Sequence, residues 1–119
     1  MLDTKGLLTA TAIGTVLQLA MIVAGHISPW VALNVFMLGG MTISALAGLV
    51  YARLTASNFA SAALGGAIAG AVCAVIGIAA SVALGDTAAM ILVMGTISSA
   101  VTGAIGGLLG RAIPHTASA

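Results

Sequence analysis

The five charged residues divide this chain into long intervals that carry no charge. They leave residues 6–52, 54–85 and 87–110 uncharged, which are 47, 32 and 24 residues, and the charges themselves are Asp3, Lys5, Arg53, Asp86 and Arg111. A helix that crosses the hydrocarbon core of a bilayer needs about 20 predominantly apolar residues. The first interval is therefore long enough for two crossing helices, and each of the others is long enough for one.

The composition excludes a soluble fold. Hydrophobic residues make up 61% of the 119 residues and charged residues only 4%. A soluble protein of this size needs a largely polar surface, which so few charges cannot supply. Spanning β-strands would alternate apolar and polar residues, unlike these unbroken apolar runs. The sequence therefore predicts an all-α integral membrane protein that forms one compact, Gly/Ala-rich domain over residues 1–119.

A turn signal divides the first interval into two helices. Gly25 ends one apolar run, while Ser28 and Pro29 suit the start of the next helix, and Trp30 falls where an interfacial aromatic is expected. We expect the first helix to be retained, because its apolar run is longer than the core of a signal peptide. The predicted helices are residues 6–25, 29–52, 58–84 and 87–110, with Ser57 and Asp86 as N-caps of the last two.

Four crossings bring all three basic residues to one side of the membrane. Lys5, Arg53 and Arg111 would then share a side that the positive-inside rule assigns to the cytoplasm, so both termini are predicted to be cytoplasmic. His26 and Asp86 fall on the opposite side, where they could meet as a pair. One histidine and one carboxylate are too few ligands for a zinc site. The short loops and this topology suit a bacterial inner membrane.

Small residues recur every four positions in each predicted helix. Residues at i and i+4 share a helix face, and small side chains allow the close helix contacts on which association in lipid depends. We therefore predict packing faces, with the alternative that these stripes line a narrow path. The stripes comprise Gly6, Ala10 and Gly14; Gly40, Ser44, Gly48 and Ala52; Ala62, Gly66, Gly70 and Ala74; and Gly95, Ser99, Gly103 and Gly107.

The stripes also predict a homo-oligomer. Four short helices have limited mutual surface, so some of these faces are expected to contact another copy of the chain or a larger membrane complex. A dimer is the simplest such assembly, with the third or fourth predicted helix at the contact. Besides the lipid bilayer, the expected partners are therefore membrane proteins.

Neutral polar residues within the predicted helices form the candidate polar site. Gln18 and Asn34 lie at comparable depth and could hydrogen bond to each other, while Ser98 and Thr102 lie on the fourth helix. One interpretation is that these groups only fix the packing, and the other is that they line a site for a solute or an ion. We expect no ionisable group at mid-depth, and we expect Cys73 to be a small buried residue. Proton-coupled transport is therefore disfavoured.

Catalysis and nucleic-acid binding have no support in the sequence. We find no metal-ligand cluster, no phosphate-binding loop and no paired carboxylates, so neither an enzyme nor a cofactor or metal site is expected. A net charge of +1 from scattered residues disfavours nucleic acid. Two hypotheses remain: a non-enzymatic membrane protein that acts through helix–helix assembly, which we favour at this point, and a small oligomeric channel or facilitator for an ion or solute.

Overall fold

The computed structural model describes residues 2–55 and 58–113, and this part of the chain is helical apart from short connections. Four of the helices are long and apolar enough to cross a membrane, which confirms the predicted fold class and makes the protein a multi-pass membrane protein. The helices are α1 (Thr4–Ile27), α2 (Pro29–Asn34), α3 (Phe36–Thr55), α4 (Phe59–Ala83) and α5 (Met90–Ala112).

The second predicted helix is interrupted. Its first six residues form the short helix α2, and the break falls at Val35, whose φ of −113° lies outside the usual helical range while its ψ of −31° stays within it. Pro29 occupies the first turn of α2, as expected, but Ser28 makes no side-chain capping bond. The helix at residues 29–52 is therefore corrected to two helices that together extend to Thr55.

The last two helices begin at Phe59 and Met90. Asn58 caps α4, since its side-chain oxygen accepts a hydrogen bond from the Ser61 N–H at 2.8 Å, whereas Ser57 lies outside the described residues. Asp86 does not cap the last helix: α5 begins only at Met90, and Asp86 instead contacts His26. A capping role for Asp86 is thus wrong, because three further residues separate it from the helix.

A glycine turn ends α4. Gly85 has a φ of +81°, and the hydrogen bonds Asp86 N–H to Ser81 O and Gly85 N–H to Val82 O, both 3.0 Å, form the pattern of a Schellman motif. The left-handed conformation favours glycine, which has no Cβ to clash with the backbone. This turn directs the chain away from α4 and places Asp86 beside the end of α1.

The helices form a bundle with α1 and α5 on opposite sides of the α3–α4 pair, and within the described residues α1 and α5 do not contact each other. Arg53 Nη1 donates to the Ile113 carbonyl at 2.8 Å, so the ends of α3 and α5 meet near the start of α1. We call this end, which carries Lys5, Arg53 and Arg111, the basic end, and the opposite end the His26 end.

Glycines bring helix backbones together in the half of the bundle nearest the basic end. A Cβ on Gly48 or Gly66 would overlap the backbone of Gly103, and a Cβ on Gly107 would overlap the backbone of Ala62. A Cβ on Gly70 would lie 2.7 Å from the Ser99 carbonyl oxygen and 3.0 Å from the Gly103 Cα. The stripes of α3, α4 and α5 therefore pack against one another within a single chain, which removes the reason for assigning them to a contact between copies.

Tyr51 fills the core at the basic end. Its side chain is fully buried, and its ring occupies the space that a Cβ on Gly65 would need. The phenolic oxygen accepts a hydrogen bond from the backbone N–H of Asp3 at 3.1 Å. Since Asp3 also caps α1 through the Gly6 N–H, Tyr51 ties the beginning of the chain to α3 and α4.

Candidate functional site: a cavity with a polar floor

A cavity opens where α3 and α5 diverge. These helices touch through glycines near the basic end, but toward the His26 end they separate around a volume of about 650 Å³. Phe36 and Met21, which fill the space over Gly25 and Gly39, keep α1 packed against α3, and Ile78 packs over Gly95 between α4 and α5. The gap therefore lies between two helix pairs, α1 with α3 and α4 with α5.

Apolar side chains form most of the cavity wall. Four of the six methionines in the chain line it, and flexible thioether side chains adapt to ligands of irregular shape. On the open side, Leu33, Met37 and Met94 are 85%, 77% and 56% exposed, whereas Ile22 on α1 is buried. The cavity is thus closed by α1 and α4 and opens sideways between α3 and α5. The methionines are Met21, Met37, Met41 and Met94.

Gln18 forms the floor of the cavity and is 2% exposed. Its amide nitrogen donates to the Gly40 carbonyl at 3.1 Å and lies 3.4 Å from the Ser44 hydroxyl. A long polar side chain fits here because Gly77 leaves room for it: a Cβ at that position would lie 2.9 Å from the Gln18 Cβ. The floor thus joins α1 to α3 and α4.

Two further groups support the floor from below. The Ser44 hydroxyl donates to the Gly70 carbonyl at 3.2 Å, and the Cys73 thiol approaches the same oxygen at 3.3 Å. Cys73 is fully buried, as expected, and packs over Gly14. The side chains of Ser44 and Cys73 are both fully buried, so the helices are in close contact directly below the floor.

The floor keeps unused hydrogen-bonding capacity. Within the described part of the chain, no donor reaches Gln18 Oε1, and the hydroxyl groups of Ser98 and Ser99, which also line the cavity, have no hydrogen-bond partner. None of these atoms belongs to the fully buried unpaired set, which consists of Thr15 Oγ1, Thr55 Oγ1 and Arg111 Nε. Gln18 Oε1 and Ser99 Oγ therefore keep some accessible surface, whereas Ser98 is an exposed residue, and all three residues line the cavity.

At the His26 end of the cavity, which we call its mouth, the polar residues Ser81, Asp86 and Thr87 line the wall. His26 Nδ1 and Asp86 Oδ2 lie 2.8 Å apart, so the pair that the sequence placed on one side of the membrane is formed. Ser81 and Thr87 hydrogen bond to each other at 2.6 Å beneath them. Gln18 precedes His26 by eight residues on α1, which at 1.5 Å per residue sets the floor about 12 Å below the mouth.

The structure brings together only part of the polar site expected from the sequence. Gln18 and Ser98 line the same cavity, whereas Asn34 is exposed and donates to the Trp30 carbonyl of its own helix at 2.9 Å. Thr102 donates to the Ser99 carbonyl, also within one helix. The interhelical hydrogen bond expected between Gln18 and Asn34 is therefore not formed.

Ser99 and the methionines are the site residues that the sequence analysis missed. Ser99 was assigned to a packing stripe, and it is 4% exposed but also lines the cavity. The methionines carried a usable signal, because apart from Met1 all of them lie in the halves of the helices nearest the His26 end. Flexible apolar side chains concentrated at one end of a bundle indicate an adaptable pocket there.

The fold and the cavity define a small multi-pass membrane protein with a ligand-sized chamber open on one side. Among the described residues, no group of three His, Cys, Asp or Glu side chains is placed to hold a metal ion. Comparisons with protein-family models, curated proteins and solved structures found no match to this chain.

Proposed function

We propose that this protein is a non-enzymatic facilitator that admits a small solute to the cavity and lets it cross the membrane without proton coupling. The single observation that carries the proposal is the chamber of about 650 Å³ that ends on Gln18. Its volume lies within the range of small-molecule sites, which are mostly apolar with a few convergent polar groups. Packing alone would not require an open chamber there.

The core beneath the floor closes the path toward the basic end. Passage therefore requires the α1–α3 and α4–α5 pairs to separate where Gly48 of α3 now meets Gly103 of α5. Such contacts place backbone against backbone without interlocking long side chains, so the two pairs can move relative to one another at a modest cost in packing. On this mechanism the chamber represents a state open toward the His26 end and closed at the basic end.

Proteoliposomes test the proposal directly. Purified protein would be reconstituted at known density, and stopped-flow light scattering would follow swelling in gradients of glycerol, urea and methylammonium chloride. We expect faster swelling than in protein-free liposomes for at least one of these solutes. Vesicles that remain osmotically and electrically silent for all three would contradict facilitation.

A pair of variants on one helix controls for general damage to the bundle. Ser98→Phe places a ring in the cavity, and Ile97→Phe places the same ring at a neighbouring position that is 61% exposed and does not line the cavity. We expect Ser98→Phe to abolish the increase in swelling and Ile97→Phe to preserve it. Equal effects of the two changes would show that the cavity is not the path.

Assembly remains the second candidate function. The sideways opening between α3 and α5 is the observation that favours it, because a helix from another copy or from a larger membrane complex would cover the exposed side chains of Met37 and Met94. Assembly would be supported over facilitation by three results together. The liposomes would remain silent, the protein would migrate as a dimer in mild detergent, and the dimer would be lost in the Ser98→Phe variant but not in Ile97→Phe.

A further inference from the structure

The free hydrogen-bonding groups of the cavity are mostly acceptors. Gln18 Oε1 at the floor can only accept, and so can Asp86 Oδ1 at the mouth, to which no donor from the described residues is bonded. The hydroxyl groups of Ser98 and Ser99 can act either way. No lysine, arginine or other dedicated donor lines the wall. The chamber is therefore complementary to a ligand that donates hydrogen bonds.

We infer that the floor formed by Gln18, Ser98 and Ser99 is a binding site for an apolar molecule that carries a protonated amine. The inference rests on the proposed admission of a solute to the cavity and names its chemical class. The amine would donate to Gln18 Oε1 and to the two serine hydroxyl groups, and its apolar body would lie against the methionines and Phe36 of the wall. An unpartnered carbonyl oxygen on a side chain that is only 2% exposed is the observation that calls for a donor there.

Charge at the mouth favours a cation over an anion. The Asp86 carboxylate is the one acidic group of the lining, no lysine or arginine lines the cavity, and only one of the two carboxylate oxygens contacts His26 Nδ1. The ring of Phe36 can attract an ammonium group, and the flexible methionines can pack against its apolar body. An anionic ligand of the same shape would meet the carboxylate at the mouth and find only acceptors or weak donors at the floor.

Calorimetric titration of the protein in nanodiscs tests this inference, with empty nanodiscs as the blank. The probe is 2-phenylethylammonium, and its matched controls are 3-phenylpropanoate, which has a carboxylate, and the N,N,N-trimethyl derivative, which keeps the charge but has no N–H. We expect the probe to bind at least tenfold more tightly than either control. Equal binding of the trimethyl derivative would overturn the requirement for a donor, and absence of binding would overturn the site.

Two variants locate the site. Ser99→Ala removes a hydroxyl group that makes no hydrogen bond to a described residue, so it should leave the fold intact and weaken binding several-fold. Gln18→Met keeps the length of the side chain and should reduce binding at least tenfold, with folding verified by gel filtration. If both variants bind like the unaltered protein, the site lies elsewhere.

Because binding is measured without a gradient, the two proposals can fail separately. Silent liposomes together with intact binding would overturn only the facilitator proposal, and swelling in the absence of binding would overturn only this inference.

Discussion

The Gln18 amide nitrogen lies 3.1 Å from the Gly40 carbonyl oxygen, so the one amide buried among the described helices is held by the backbone of a neighbouring helix. This bond uses the donor of the side chain and leaves its acceptor facing the chamber. One residue thereby contributes both to the stability of the bundle and to the chemistry of the floor, and the two roles can be separated by measurement.

The stabilising role of Gln18 predicts that removing this buried amide costs more unfolding free energy than removing the exposed amide of Asn34. Gln18→Leu removes the bonds to Gly40 and Ser44, and interhelical hydrogen bonds in membranes contribute roughly 0.6 to 2 kcal/mol. We expect a loss of about 1–2 kcal/mol in the free energy of unfolding, measured by titration with sodium dodecyl sulfate in mixed micelles. Asn34→Leu is the matched control, and it should cost less than about 0.5 kcal/mol because Asn34 bonds only within its own helix. Equal losses would contradict this assignment.

The glycines of α5 should differ sharply in their tolerance of a methyl group. In Gly103→Ala the new Cβ would overlap the backbone of Gly66, which cannot move without separating α4 from α5. Overpacking of this kind costs about 1–3 kcal/mol. In Gly95→Ala the new Cβ would meet only the Cδ1 end of Ile78, at 2.6 Å, and that side chain can rotate. Unfolding titrations should therefore give Gly103→Ala a clearly lower free energy of unfolding than Gly95→Ala. The reverse order would contradict the close contact between Gly103 and Gly66.

The turn after α4 predicts a conformational effect at Gly85. Gly85→Ala puts a Cβ into a left-handed conformation, which costs roughly 1–2 kcal/mol. Gly85→Asn should cost less, because asparagine adopts this conformation more readily. There is open space around this position, so any loss reflects the backbone rather than a clash. Equal unfolding free energies for both variants and the unaltered protein would argue against the turn.

The three basic residues lie at one end of the bundle, and this predicts the orientation of the protein in the membrane. With the basic end in the cytoplasm, a cysteine introduced by Ile27→Cys should react with a membrane-impermeant maleimide in intact cells, and one introduced by Ile113→Cys should react only after permeabilisation. Ile27 is 77% exposed and Ile113 is 47% exposed. The native Cys73 is buried, so the unaltered protein serves as the unlabelled control. Labelling of Ile113→Cys alone in intact cells would reverse the topology.

The number and order of the crossing helices could be predicted because charges are excluded from the hydrocarbon core, and the intervals between them set the lengths of the helices. The close helix contacts could be predicted from glycine spacing, but spacing states only that a face can be approached closely. Whether Gly70 and Gly103 meet each other or another chain depends on the rotation of each helix. Asn34 shows a related limit, because Gln18 bonds to Gly40, six residues beyond Asn34 along the chain, whereas Asn34 bonds only within α2, so the two side chains do not share the depth expected for them.

The cavity could have been anticipated from an asymmetry along α5. Its second half contains Gly103, Gly106, Gly107 and Gly110, while its first half carries Met90, Ile91 and Met94. Small residues allow α3 and α5 to touch at one end, whereas at the other end Ile91 and Met94 line the cavity between them. The unpaired oxygen of Gln18 could not have been predicted, because it depends on which of the two amide atoms finds a backbone partner.

The contacts of Gln18 also bear on how the protein is made. Because synthesis begins at the N-terminus, α1 enters the membrane before α3 and α4, and until they arrive its amide has none of the partners at Gly40, Ser44 and Cys73. An unsatisfied amide in lipid is costly, so the newly inserted α1 gains stability only when the later helices reach it. Ribosome-bound chains that end before Gly40 should therefore hold α1 loosely, and biogenesis becomes a process in which the first helix is fixed only after α3 and α4 have been made.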